Sequence, residues 1–469
     1  MASAIPVGFR ALPLPIIQLS LAAVLKCGQS FRWSAFPLIL ADHSGTNIDH
    51  SVPTHEYRFC LRDRLVCLRQ SSDTLFYRSI FPDSPLPPLE EVKREGETLI
   101  WLKDYFQLDV DLVKLYDEWS TKDPVFARLR SRFAGIRMLR QDPWENLVSF
   151  ICSSNNNIAR ITKMVNALCK HYSPPLVSVP PPSVQTRLPS PVLDDEGDVQ
   201  ADAYHPFPPP SRLAQPDVAS TLRSLGFGYR AEFIQKTAKM LVEARPSSPS
   251  TSESLEPSEK WLTTLRTTST EEARQELLKF IGVGPKVADC VLLMSLDKRE
   301  VIPVDTHVHQ IAMKHYGLRS AAGGKKANMT PKLYEEVNQR LFAIWGDYAG
   351  WAHTVLFTAD LKSFSSYGLP PPSPVPTPTK ERRSADTFGP ALTATLALTA
   401  SPSPSTRKRG RPPASRTPLL SGDQNPVIDT QLPNVLQTFA DHTESSEGAS
   451  LADRVKKRRR VAKTVIVRA

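Results

Sequence analysis

The most reactive arrangement in the chain is a lysine and an aspartate nineteen residues apart, Lys286 and Asp305. Lys286 lies in the stretch Leu277–Leu293, LLKFIGVGPKVADCVLL. An amphipathic helix is expected to end at Phe280-Ile281. Gly282-Val283-Gly284 then makes a tight hairpin, and a second helix begins near Pro285, since the first helical turn tolerates proline's missing N–H. Lys286 therefore falls where the positive end of a helix dipole disfavours a cation. An amine there, partly removed from water, is biased towards the neutral form that a nucleophile needs. Cys290 lies one turn further along the same face. Asp305 ends the apolar run Val301-Ile302-Pro303-Val304 and opens another helix at Thr306-His307. On local grounds it is an N-cap, and a capping carboxylate is held ionised by backbone N–H groups, which is compatible with a catalytic role. The hairpin glycines and the free N–H groups of the second helix suit a phosphate backbone, without reading base sequence. An ordinary helix-turn-helix would explain the hairpin alone equally well.

A third stretch, Tyr348–Leu361, reads as a helix with two faces. Trp351, Val355 and Thr358 form a core side with Ala352, Leu356 and Ala359 alongside, while His353, Phe357 and Asp360 make a separate stripe at i, i+4, i+7. His307 and His309 are two apart on a helix and point in different directions, so no metal site is expected.

The elements that must position these groups divide the chain. Residues 20 to about 80 read as strand-rich: Tyr57, Phe59 and Leu61 alternate with Arg58, Cys60 and Arg62, Asp63-Arg64 offers a turn, and Leu65–Leu68 starts a second strand. Phe31–Trp33 and Phe76–Tyr77 are further short strand candidates. From about residue 97 the periodicity is helical (Leu99, Leu102, Phe106, then Leu112, Leu115, Tyr116, Trp119) and continues to about 365. The fold class expected is α+β: a small antiparallel sheet domain over 1–100, a helical helix-hairpin-helix domain over 101–365, and a disordered basic tail over 366–469. Two low-complexity insertions, about 173–200 and 246–258, read as exposed loops that need not pack. In the tail, Arg407–Pro412 looks like an AT-hook minor-groove element and Lys456–Arg460 like a nuclear import signal.

Composition bounds the rest. Of 469 residues 43 are proline, concentrated in a few stretches, and the net charge of +10 suggests a polyanionic partner. The six cysteines are scattered without a Cys-x-x-Cys pair and fit a reducing compartment better than a disulfide framework. No run is long and apolar enough for a bilayer. Ile5–Leu25 is broken by three prolines and lacks a basic start, unlike a signal peptide. A soluble intracellular protein is expected.

Hairpin, lysine, then Pro-Val-Asp nineteen residues on resembles the endonuclease III superfamily of base-excision glycosylases, and within it the eukaryotic 8-oxoguanine DNA glycosylase/lyases. Distant segments agree: Gly28–Trp33 (GQSFRW), Tyr105–Asp109 (YFQLD), Asn155–Arg160 (NNNIAR), Leu225–Arg230 (LGFGYR) and Gly350–Ala352 (GWA). The chain has no cysteine beyond Cys290, so the iron–sulfur branch of the superfamily does not fit.

The resemblance implies a damaged nucleotide flipped from the duplex into a pocket. Lys286 would attack the sugar's anomeric carbon, form a Schiff base and allow β-elimination, and Asp305 would stabilise the oxocarbenium-like transition state. Cys290 and Phe357 would sandwich the oxidised purine, with the Gly28 carbonyl accepting from the N7–H that only the lesion carries. His353 stands where the family usually has glutamine against the Watson–Crick edge. Asn155, Arg160 and Arg230 match positions that read the orphaned cytosine, Tyr229 the wedge in the stack, and His307 a phosphate contact. The implied partner is double-stranded DNA containing oxidised guanine. A monomer acting in the nucleus is expected, nuclear action resting on the basic run Lys456–Arg460, with a mitochondrial fraction left open. No organic cofactor is expected, and a monovalent cation on the hairpin carbonyls is compatible with the resemblance. Two rivals remain at this point. One is an alkylpurine glycosylase, which keeps the aspartate but lacks the hairpin lysine. The other is a non-catalytic DNA-binding protein using the hairpin and tail.

Overall fold

Five short strands from the first eighty residues form one antiparallel sheet: β1 (Arg10–Pro13), β2 (Ser34–Pro37), β3 (His55–Cys60), β4 (Leu65–Gln70) and β5 (Thr74–Ile80), in the order β1-β5-β4-β3-β2. The computed structural model describes residues 5–38, 52–183, 201–245, 255–318 and 329–369. Register is set by rows of apolar partners such as Tyr57, Leu68 and Tyr77 across β3, β4 and β5. A one-residue slip would turn that row away from its packing layer. On this face the sheet packs the Pro88–Tyr105 helix through Leu102 and Tyr105. Its other face is covered by a second ribbon, β6 (Val177–Val179) paired with β7 (Asp202–Tyr204). With both faces covered, Leu65, Val66, Cys67 and Leu68 are all buried in succession, as a doubly covered strand requires. The same covering buries Arg58, whose guanidinium is bonded to Glu56 Oε1 (2.7 Å), to the Pro180 carbonyl (2.8 Å) and to the Tyr204 hydroxyl (3.2 Å).

Several expectations change here. Phe31–Trp33 is not a strand; β2 begins at Ser34. Those side chains are drawn into tertiary contacts instead: Phe31 meets Phe150 edge-on, Arg32 bonds to Glu145, and Trp33 stacks on Phe59. After a single short turn at Leu21–Val24, the first long helix starts at Pro88 rather than near 97; the pattern missed its start because its first turns expose Leu89 and Val92. They dock through a carboxylate, Glu95 accepting from Ser79 N at 2.9 Å, so they carry no apolar period. The start of the first insertion does pack, since β6 lies within 173–200, and so does the end of the second, where Ser258 is buried in the Pro257–Thr264 helix. Tyr367, in the expected tail, stacks on Phe133 and bonds to Ser20 Oγ at 2.9 Å. Residues 184–200, 246–254 and 370–469 with both basic runs lie outside the described set.

From Leu112 onwards helices build the larger core, in which Trp119, Trp144, Trp345 and Trp351 are fully buried. All six cysteines are buried and unpaired. No helix among the described residues is long and apolar enough to cross a membrane. The hairpin expected at 277–293 is present as the Thr270–Leu278 and Pro285–Ser295 helices. The Ala349–Asp360 helix lies against the residues that lead to Asp305, and Gly350 permits the approach: its N–H donates to the Arg299 carbonyl at 3.0 Å. A Cβ at Gly350 would fall 2.3 Å from the Val301 carbonyl oxygen. Backbone cannot yield there as a side-chain tip would, so Gly350→Ala is expected to cost about 2–3 kcal/mol, read as a lower midpoint in urea unfolding.

Candidate active site and nucleic-acid interface

The hairpin turn is a requirement of space as well as of backbone. Gly282 has φ +84°, and a Cβ there would lie 2.4 Å from the Phe233 ring, so only glycine fits. Gly284 caps the next helix in an extended conformation (φ −103°), with open space beside it. Lys286 follows in the first turn, half-buried. Its Nζ donates to Ser153 Oγ at 3.2 Å and sits 4.9 Å from the centroid of the Phe150 ring. Ser153 Oγ in turn donates to the Phe150 carbonyl at 2.7 Å, so towards the ammonium it can only accept. Neither Phe150 nor Ser153 was singled out by the sequence. Phe150 reads as helix core, and the serine pair before Asn155 reads as a helix end.

Asp305 caps the Thr306–Tyr316 helix as its position suggested. Oδ1 accepts from His307 N at 2.8 Å and Val308 N at 2.9 Å. Oδ2 takes no hydrogen bond among the described residues, and Asp305 lines a cavity of about 1170 Å³. That volume exceeds the roughly 300–1000 Å³ of a small-ligand pocket. Gly28, Lys286, Cys290, Asp305, His307, His353 and Phe357 all line it, so residues scattered over more than three hundred positions meet around one space. Gly28 is held by its neighbour. Gln29 Nε2 donates to the Arg137 carbonyl at 3.0 Å, Gln29 Oε1 accepts from Leu139 N at 2.9 Å, and the Gln29 carbonyl accepts from Gln141 Nε2 at 2.9 Å.

The walls differ in polarity. Burial pushes the Cys290 thiol up to about 11, with Lys286 beside it acting in the opposite sense. It is therefore a neutral, polarisable surface and not a thiolate. His307 Nε2 lies 3.4 Å from Asp360 Oδ2, and its ring meets Phe357 edge-on at 5.4 Å. His353 is only 5% exposed, and neither ring nitrogen has a hydrogen-bond partner. Unpartnered nitrogens on a cavity wall are open to water or to a ligand's polar edge.

Four named residues lie away from this cavity and cluster together. Asn157, not Asn155, caps the Ile158–Tyr172 helix, accepting from Arg160 N at 3.0 Å. Asn155 adopts φ +48°, a left-handed turn conformation. Arg160 Nη2 donates to the Gly226 carbonyl at 3.2 Å. Tyr229 is 50% exposed, its hydroxyl donating to the Ser154 carbonyl at 3.0 Å. Arg230 is only 3% exposed, its guanidinium committed to the Ser154 and Asn155 carbonyls. To touch a base it must exchange those carbonyls for it.

Burial lowers His353 from its ordinary 6.5 to about 4, against the opposing pull of Asp305. The sign of the pH effect follows. Between about pH 4 and 6.5 the unfolded chain binds this proton and the folded one does not. Stability is therefore fully present above 6.5 and falls as pH drops towards 4, by up to about 3 kcal/mol. Replacing the imidazole in His353→Gln is expected to flatten that acid limb, measured by urea unfolding at pH 7 and pH 4.5.

Comparison with known proteins agrees with this geometry. Residues 11–147 match the family described as 8-oxoguanine DNA glycosylase, N-terminal domain, and residues 148–339 match the HhH-GPD superfamily base excision DNA repair protein. The chain is 35% identical to the N-glycosylase/DNA lyase OGG1 of Arabidopsis thaliana, over 81% of this chain and 88% of that one. It is 33% identical to the N-glycosylase/DNA lyase of Saccharomyces cerevisiae, over 75% and 86%. Among solved structures it resembles MBOgg1 in complex with a low affinity DNA ligand: TM-score 0.52, 26% identity, 76% of this chain and 96% of that one. The Clostridium acetobutylicum 8-oxoguanine glycosylase/lyase, at 23% identity and TM-score 0.53 over 76% and 99%, shares the fold. A five-stranded sheet, a helix-hairpin-helix unit and a lysine and aspartate on one cavity thus converge with the sequence matches, and the chain belongs to the 8-oxoguanine DNA glycosylases, the N-glycosylase/DNA lyases of base-excision repair.

Proposed function

We propose that in this glycosylase/lyase Lys286 is the nucleophile, Asp305 the transition-state carboxylate, and Gly28, Cys290, His353 and Phe357 the receptor for 8-oxoguanine flipped from duplex DNA. The observation that carries this reading is the meeting of all six on one cavity. A neutral Lys286 amine bonds to C1′ as the C1′–N9 bond breaks, and the base leaves with the electron pair and gains a proton. The sugar ring opens to the iminium. Loss of a C2′ proton then expels the 3′ phosphate, which nicks the strand. Asp305 Oδ2, with no hydrogen bond among the described residues, is free to stabilise the positive charge that develops on the sugar. Phe357 and the Cys290 sulfur offer the purine two faces. The neutral His353 ring offers one donor and one acceptor to its edge, where glutamine would offer more.

Opposite cytosine, the lesion leaves an orphaned base for Asn155, Arg160 and Arg230 to meet, with Tyr229 filling the gap. Hairpin N–H groups beside Gly282 and Gly284, together with His307, take the phosphates. A monomer needs no organic cofactor for this chemistry, and a monovalent cation on the hairpin carbonyls belongs to the same proposal. So does nuclear action, which the run Lys456–Arg460 favours.

Borohydride trapping on a duplex with 8-oxoguanine opposite cytosine is the direct test. The wild type is expected to give a covalent band and Lys286→Gln none; base release without a band from the wild type would replace the lysine by water. Asparagine caps helices as well as aspartate does, so Asp305→Asn is expected to keep the fold and slow excision on the order of a hundred-fold, measured by single-turnover kinetics.

A further inference from the structure

One buried carboxylate that the mechanism does not use connects both halves of the active site. Asp289 sits on the nucleophile's helix, between Lys286 and Cys290, and is 0% exposed. Its Oδ1 accepts from Arg274 Nε at 2.9 Å, on the first helix of the hairpin. Its Oδ2 accepts from the hydroxyl of Tyr334, on the Pro331–Trp345 helix. The same hydroxyl accepts from the N–H of Val304 at 3.3 Å, the residue immediately before Asp305. One turn along, Asn338 Nδ2 donates to the Ile302 carbonyl at 3.1 Å. Two side chains of one helix thus grip alternate residues of the extended run that presents Asp305. Their spacing matches, since a helical turn advances about 5.4 Å and two extended residues about 6.6 Å.

We infer that Tyr334 is a positioning residue whose hydroxyl fixes Asp305 relative to Lys286, by joining the Asp289 carboxylate to the Val304 N–H, with Asn338 as the second grip. A phenylalanine would keep the ring packing while leaving the buried Val304 N–H and Asp289 Oδ2 each without their partner. The Asp305 run would then be free to shift by a fraction of an ångström. Asp305 and Tyr334 share no hydrogen bond among the described residues, so the coupling runs through the Val304 backbone. This inference rests on the proposed roles of Lys286 and Asp305.

The test is Tyr334→Phe in the full-length chain, with Asn338→Ala as a second variant of the same grip. Excision is followed in single turnover at saturating enzyme on an 8-oxoguanine·cytosine duplex, and affinity on a duplex carrying a non-cleavable tetrahydrofuran site. Expected is excision slower on the order of ten-fold in Tyr334→Phe, less so in Asn338→Ala, with duplex Kd within about two-fold of wild type and a cooperative thermal transition retained. Wild-type excision rates in both folded variants would overturn the inference. So would a parallel loss of rate and affinity, which is what a general packing role gives. Borohydride trapping of wild type and Lys286→Gln alongside separates the two levels: an untrapped wild type sinks the lysine reading, a trapped wild type with an unaffected Tyr334→Phe sinks only this one.

Discussion

The active site depends first on a charge that cannot be left alone in the interior. Arg32 is buried where the sheet, the β7 end and the helical core meet, and four of its five N–H groups are used. Nε and Nη2 donate to the two oxygens of Glu145 (2.9 and 2.6 Å), and Nη1 to the Cys60 and His205 carbonyls (2.9 and 3.3 Å). Its face lies 4.5 Å from the Phe59 ring centroid. Breaking such a pair by removing one partner typically costs about 3–5 kcal/mol, so the geometry around it is fixed. Gly28 is four residues upstream on the same segment, and Glu145 stands on the Pro143–Ile151 helix that ends beside Phe150 and Ser153. The pair therefore ties the Gly28 backbone on the cavity wall to the groups that hold Lys286.

With the frame fixed, polar atoms are spent unevenly. Gln29, Arg32, Arg58 and Arg137 are bonded on nearly all sides in the interior. Around the cavity the reverse holds: both His353 nitrogens and Asp305 Oδ2 are uncommitted. Leaving buried polar groups unsatisfied costs stability, a cost that a ligand hydrogen-bonding to them would offset. The lysine and the aspartate are held differently: Lys286 donates to Ser153 Oγ beside the Phe150 ring, while Asp305 Oδ1 accepts from two backbone N–H groups.

The hairpin, the lysine and the capping aspartate were legible because each obeys a local rule. Glycine is demanded at Gly282, proline is tolerated at the start of a helix, and a carboxylate caps the helix after Val304. The sheet was legible in β3, β4 and β5 for the same reason. Phe31–Trp33 was misread because aromatic, β-favouring residues can equally be held by distant partners, and Glu145 and Phe59 are invisible to a local window. The ribbon strand β6 was hidden in a proline-rich stretch, since its pairing with Asp202–Tyr204 spans residues that carry no strand period.

By itself the sequence determined which side chains can do chemistry, and the caps and turns that set their immediate backbone, because helix starts and hairpins are governed by residues within a few positions. Only the tertiary structure decided that Gly28, Lys286, Asp305 and His353 share one cavity, that Arg230 spends its guanidinium on the Ser154 and Asn155 carbonyls, and that Asp289 and Tyr334 brace the aspartate. Those outcomes are set by which buried donors meet which acceptors across the core. Such pairing is a property of the packed interior, and no stretch of chain carries it alone.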